Sequence, residues 1–256
     1  MKNIMGKSLR NKAGNKIALL VLLASGLIVS GCTHSIEMNS AHFITPMTND
    51  NQWGGMVALS GAKPTTVMLV EGIGSNPPVR NGVKINDDIN STELILLEYL
   101  DVDLKLSVYP SVEVTVDSEV VGVKWQFLNH RQSDTVLASL LVGYGSRSKE
   151  SSTGTAKAKT ELQTTRTGVS VGYGFAEWAP YASFVYDQHK TKTEVNNNSG
   201  KFNYDDKGTH QNISIGVSTR GQALAAALEF NHVMLDWDGA KKTSQDGIGI
   251  QLGYQW

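Results

Sequence analysis

Asp187 and His189 stand two residues apart in an alternating stretch, so their side chains share one face of a strand. A carboxylate beside an imidazole is the arrangement of a base and the group that orients it. His232 and Asp236, four apart, repeat the relation. Neither pair has an assigned nucleophile, and the chain has no nucleophile elbow, P-loop or dinucleotide fingerprint. The remaining histidines, His34, His42, His130 and His210, form no His-x-x-x-His pair. The single Cys excludes an internal disulfide and any multi-Cys zinc or iron–sulfur site. No cofactor, metal or catalysis is therefore expected, and both Asp/His pairs read as rim hydrogen bonds.

Charges on the inward side of alternating segments are more informative. Asp101, Asp103 and Lys105 oppose Leu100, Val102, Leu104 and Leu106; Lys124 opposes Val123 and Trp125; Glu229 opposes Leu228 and Phe230. In a narrow barrel such charges fill the lumen and must be paired. Asp101 and Asp103 are expected to meet Lys124 across a hairpin, forming a lumen polar network with Lys105 and Glu229. The same groups leave open a role in conduction or ligand binding.

The elements that would carry these residues are strands. Period-two alternation runs through Leu100–Tyr109, Val121–Leu128, Thr167–Phe175, Gln211–Thr219, Gln222–Leu235 and Gly247–Trp256, and less cleanly through Thr135–Gly145 and Pro180–His189. Trp53–Gly61 and Thr66–Glu71 are expected to pair as a further hairpin turning at Lys63-Pro64. Eight strands follow without that hairpin and ten with it, and ten is favoured. Short connections alternate with the longer, polar stretches Arg147–Glu161, Lys190–Gly208 and Asp236–Ser244. Short turns on one side and long loops on the other are the habit of a transmembrane barrel.

A soluble lipocalin-like barrel would bury the apolar face instead. Three features favour the membrane form. The polar face is mostly Gly, Ser, Gln, Asn and Ala rather than charge. The aromatics Trp53, Tyr109, Trp178, Trp237, Tyr254 and Trp256 lie near strand ends, as interfacial girdles require, and the chain stops on an aromatic. The expected fold is thus all-β: an antiparallel up-and-down transmembrane β-barrel of 8–10 strands over residues 52–256.

Residues 1–31 carry Lys2, Lys7, Arg10, Lys12 and Lys16, no acid, and an apolar run from Ile17 to Val29. This is the pattern of a secretory signal peptide, and the run is too short to span a bilayer as a helix. Val29-Ser30-Gly31-Cys32 resembles the lipobox of bacterial lipoproteins. The resemblance implies cleavage before Cys32, a diacylglyceryl group on its sulfur and an acylated amine. Thr33 in place of Asp implies delivery to the outer membrane. Residues 32–51, polar and aperiodic, read as a tether that would set the acyl anchor in the inner leaflet beside the barrel. Removal of the five signal-peptide cations leaves 18 basic and 24 acidic residues, net −6, which argues against nucleic acid as a partner.

The C-terminus resembles the assembly signal of bacterial outer-membrane barrels. Tyr254 and Trp256 match its paired aromatics, while Gln251 stands where that pattern has Gly. The resemblance implies the barrel-assembly machinery as a partner, together with outer-membrane lipids and lipopolysaccharide. The function expected is a structural or surface-interaction role without catalysis. A narrow transport barrel and a lipid-tethered soluble binding barrel are the alternatives.

Overall fold

The computed structural model describes residues 33–49, 52–79, 84–85, 100–129, 134–219 and 223–256. Residues 1–31 and Cys32 lie outside them. Thirteen strands and no helix occur among the described residues: β1 (Thr33–Asn39), β2 (Gly55–Ala62), β3 (Pro64–Glu71), β4 (Lys84–Ile85), β5 (Leu100–Tyr109), β6 (Val112–Val116), β7 (Val121–Leu128), β8 (Thr135–Thr153), β9 (Ala156–Gly174), β10 (Trp178–Asn197), β11 (Gly200–Thr219), β12 (Leu224–Trp237) and β13 (Thr243–Gln255).

Ten of these strands close an antiparallel barrel. It runs in chain order from β5 to β13, and β2 fills the gap between β13 and β5. The remaining three form a separate sheet in the order β1-β3-β4. Alternation sets the barrel's two faces. Ile215 is 66% exposed and its neighbour Ser214 only 1%. Leu100, Leu104, Val123, Trp125, Phe184, Phe230 and Leu252 likewise face outward. The apolar side chains thus point away from the lumen, the reverse of a lipocalin-like barrel.

This outward surface forms a belt. On β10 it covers 178–186, on β11 213–219, on β12 224–230 and on β13 248–256. Nine strand residues advance about 30 Å, and a tilt of ~40° reduces that to ~23 Å of height, close to the ~25 Å apolar band of membrane barrels. Beyond the belt the outward residues turn polar: Gln188, Lys190 and Lys192 on β10, and Lys207, Asp205 and Asn203 on β11. Strands β8 to β11 therefore overrun the belt by about its own height.

The structure corrects several expectations. Arg147–Glu161 and Lys190–Gly208 are strand rather than loop, because pairing continues to two-residue connections at 154–155 and 198–199. Gly154 takes the left-handed backbone (φ 59°) that the first of these turns needs. The β2–β3 hairpin does not exist. β3 continues onward from β2 after the bend at Lys63 but pairs with β1 inside the barrel. The count of ten holds because β6, too short to show its alternation, supplies the missing strand. Trp237 is no girdle residue: it is 2% exposed and faces inward. The other five predicted girdle aromatics are exposed at the end of the barrel that holds the C-terminus.

The largest correction concerns the tether. Thr33–Asn39 is a strand, registered Thr33 to Glu71 and Asn39 to Pro64. Ser40, Ala41, Phe43 and Ile44 are buried. The segment sits within the barrel, not in solvent beside it.

Candidate functional site

The lumen and the chain that fills it form the site. β1 enters at the end of the long hairpins, where His34 bonds Ser151 Oγ and Thr160 Oγ1, both at 2.8 Å. Ile36 and Met38, with Val67 and Leu69 of β3, pack on the inward faces of the tall strands through Ala156, Ala158, Leu162, Val195 and Trp237. Burial of His34 pushes its imidazole down to about 4, and the nearby positive charge of Lys149 acts in the same direction.

Residues 40–49 then descend the lumen with no ladder partner among the described residues. Backbone groups left unpaired in a buried segment are costly, and here side chains of the wall satisfy them. Asn212 Nδ2 donates to Ser40 O. Phe43 N donates to Glu229 Oε2 at 3.3 Å, and Lys105 Nζ donates to Phe43 O at 3.3 Å. Ser139 Oγ donates to Thr45 O, and Lys124 Nζ donates to Met47 O. Thr48 N donates to Gln126 Oε1 at 2.8 Å and Asn49 N to Glu113 Oε1. Asn49 Nδ2 reaches Trp256 O at 3.0 Å. The segment thus runs from the hairpin end to the C-terminal rim.

Inward glycines give it room. A Cβ on Gly249 would lie 2.5 Å from Ala41 Cβ and 2.8 Å from the Phe43 ring, and one on Gly168 would lie 2.9 Å from Ile44. The high glycine content of the inner face is partly the bed of this segment.

An ion cluster surrounds its upper end. Arg166 holds Asp187 through Nε (2.9 Å) and Nη2 (2.9 Å), Asp117 through Nη1 (2.7 Å) and Glu119 through Nη2 (3.0 Å). Arg147 reaches Glu119 at 3.2 Å. Glu119 accepts Asn39 N at 2.8 Å, and His42 Nε2 lies 3.6 Å from Asp187. The guanidinium fork thus ties the β6–β7 turn, the wall and the threaded segment together.

All five charges expected to face the lumen do so, and Lys105 lies in the field of Asp103, Lys124 and Glu229, while the hydrogen bonds and ion pairs of the set go to other partners. Lys124 pairs with Glu113 at 2.7 Å rather than with Asp101 or Asp103. Asp101 accepts Ser118 Oγ at 2.8 Å and so fixes the β6–β7 turn. Asp103 accepts Gln251 Nε2 at 2.6 Å. Glu229 takes Tyr181 Oη at 2.7 Å.

Asp187 and His189 do share the inward face of β10, yet they are not a pair. Both Asp187 oxygens go to Arg166, while His189 Nδ1 lies 3.0 Å from Thr164 Oγ1 and its ring stacks on Trp237. His232 pairs with Asp246 on the outer surface, and Asp236 with Lys242. Tyr254 and Trp256 stack at 6.4 Å on the outer face of the terminal strand. No group of three or more potential metal ligands occurs among the described residues.

Arg166 and Glu113 lie outside the alternating segments that single out inward charges. Arg166 has the same parity as Gly168, Ser170 and Gly172, so extending the Thr167–Phe175 strand by one residue exposes it as inward. Contrary to the expectation of no such motif, the sequence does carry one Gly-x-Ser-x-Gly spacing, Gly168-Val-Ser170-Val-Gly172, but it lies wholly inside β9, with Ser170 buried and no strand-to-helix turn.

No family model matches the chain, and no curated protein is similar to it. Among solved structures it is similar to the outer membrane channel DcaP of Acinetobacter baumannii. The identity is 8% over 89% of this chain and 98% of that chain, with a TM-score of 0.20, a likeness too loose to bear on fold or function.

Proposed function

We propose that this chain is an outer-membrane β-barrel lipoprotein closed by its own N-terminal segment, with a structural or surface-interaction role and no catalysis. The observation that carries this reading is the run of residues 40–49 down the lumen, hydrogen-bonded to the wall from Ser40 to Asn49. A ten-stranded barrel is already narrow against the roughly 16–18 strands of an open porin, and here its bore is occupied.

The apolar belt supports a membrane-spanning barrel in contact with outer-membrane lipids. The signal peptide and lipobox support export, and Tyr254 with Trp256 supports recognition by the barrel-assembly machinery. The long hairpins would then stand outside the cell, with lipopolysaccharide around their polar bases. In that orientation Thr33 lies at the external end, so an acyl group on the preceding Cys32 would emerge there and not in the inner leaflet beside the barrel. The absence of catalysis is supported by the use of both Asp187 oxygens on Arg166 and the cover of Trp237 over His189.

Planar-bilayer recording tests the reading. The full-length protein is expected to be silent, and the same chain lacking 40–49 is expected to give discrete conductance steps. Reproducible steps from the full-length protein overturn the closed barrel in favour of a narrow transport channel.

A further inference from the structure

The threaded segment fills only part of the lower lumen. Beside it, opening toward the C-terminal rim, lies a cavity of about 390 Å³. This volume is within the range of small-molecule sites. The sequence creates the space, because the wall is built there from Ala225 and Ala227 of β12 and Ala223 just before it, which reach little way inward.

The groups around this cavity are not neutral filler. Lys124 is matched by Glu113 at 2.7 Å. Lys105 has no such ion pair among the described residues: its Nζ donates to Phe43 O at 3.3 Å, and the carboxylates of Asp103, Glu113 and Glu229 and the charge of Lys124 act on it from beyond ion-pair distance. An ammonium has three donors, and two of these are left to the cavity. Ser218, 5% exposed, also lines it, and its Oγ has no hydrogen-bond partner among the described residues. A partly exposed cation with a single acceptor and a buried hydroxyl with none among the described residues both gain where a ligand supplies the missing acceptor.

We propose that this cavity binds a small oxyanion, a carboxylate or phosphate group, seated on Lys105 with Ser218 as a second donor. The solute enters from the C-terminal rim, the periplasmic side in the orientation given above. Phe43 and Ala41, packed against Gly249, stop it from passing further. The site is a dead-end receptor pocket and needs no conduction. The binding is measured on detergent-solubilised protein, so its outcome is separate from that of the conductance experiment.

Calorimetric titration of the full-length protein with inorganic phosphate and with acetate tests this. Saturable binding of at least one probe is expected. Lys105→Gln is expected to weaken it by tenfold or more, about 1.4 kcal/mol. Ala225→Leu, which fills the cavity and leaves Lys105 in place, is expected to abolish it. Lys157→Gln, on an outward site of the β8–β9 hairpin, is expected to bind as the parent does. No saturable binding of either probe overturns the proposal, as does parent-like binding in either lumen variant. Should Lys105→Gln fail to fold, Ala225→Leu alone decides.

Discussion

The two halves of the N-terminal segment lie in the same barrel and are held by opposite means. Thr33–Asn39 is a true strand, ladder-bonded to β3 and buried through Ile36 and Met38. Residues 40–49 have no ladder among the described residues, and wall side chains hold their backbone. Hydrophobic burial ties the first half to its own side chains. In the second half the wall also grips main-chain groups, through Asn212, Glu229, Lys124, Gln126 and Glu113, while only Ala41, Phe43 and Ile44 pack in small apolar clusters. The upper half is a packed domain element and the lower half a seated ligand of its own barrel.

That difference explains what could be read from the sequence. The barrel was legible because a half-buried strand writes its surroundings into alternate residues, as in Gly247–Trp256. The inward charges were legible for the same reason. The lower segment was not: Ser40–Asn49 is bound through its backbone, and a backbone leaves no pattern in residue types. β1 was hidden differently, since Thr33–Asn39 is seven residues long and its partner β3 looked like a continuation of a barrel hairpin. The long loops were misread because strands above the belt face water on one side, and their outward Lys, Thr and Asn look like loop residues.

The largest disturbance should come from the junction between the halves. Arg166 is 2% exposed and pairs with Asp187, Asp117 and Glu119, while Glu119 holds Asn39 N. Arg166→Ala leaves three acids without their buried cation, a loss on the order of 3–5 kcal/mol. Hydrogen exchange should rise in both 33–39 and 40–49 while the wall at 167–175 keeps its protection. Unchanged exchange in both segments would show that the cluster does not fasten the chain to the wall.

A cut in the upper half alone should be smaller and local. Met38 is 1% exposed inside the inner sheet's apolar cluster. Met38→Ala is expected to cost about 2–3 kcal/mol, the low end of the usual range for such truncations. Exchange should rise in β1 and β3, with 43–49 still protected, because their bonds are to a different part of the wall. Equal loosening of 43–49 would mean that the halves are a single cooperative unit, and the contrast between them would fail.

The smallest effect expected is one of pH, and it again separates the halves. His34 is neutral in the folded state, with its imidazole held down at about 4 against an ordinary 6.5. The opened state therefore binds the proton more tightly, and the closed state is favoured fully above about pH 6.5. Between 6.5 and 4 that advantage falls steadily, because opening β1 now takes up a proton that the buried ring refuses. Exchange protection of 33–39, corrected for intrinsic rate, should thus decline on acidification from pH 7 to 5. His34→Gln, which keeps a polar group toward Ser151 and Thr160 but cannot titrate, should flatten that decline. If the parent and the variant lose protection in parallel, the pH response of the upper half arises from other buried groups and not from His34.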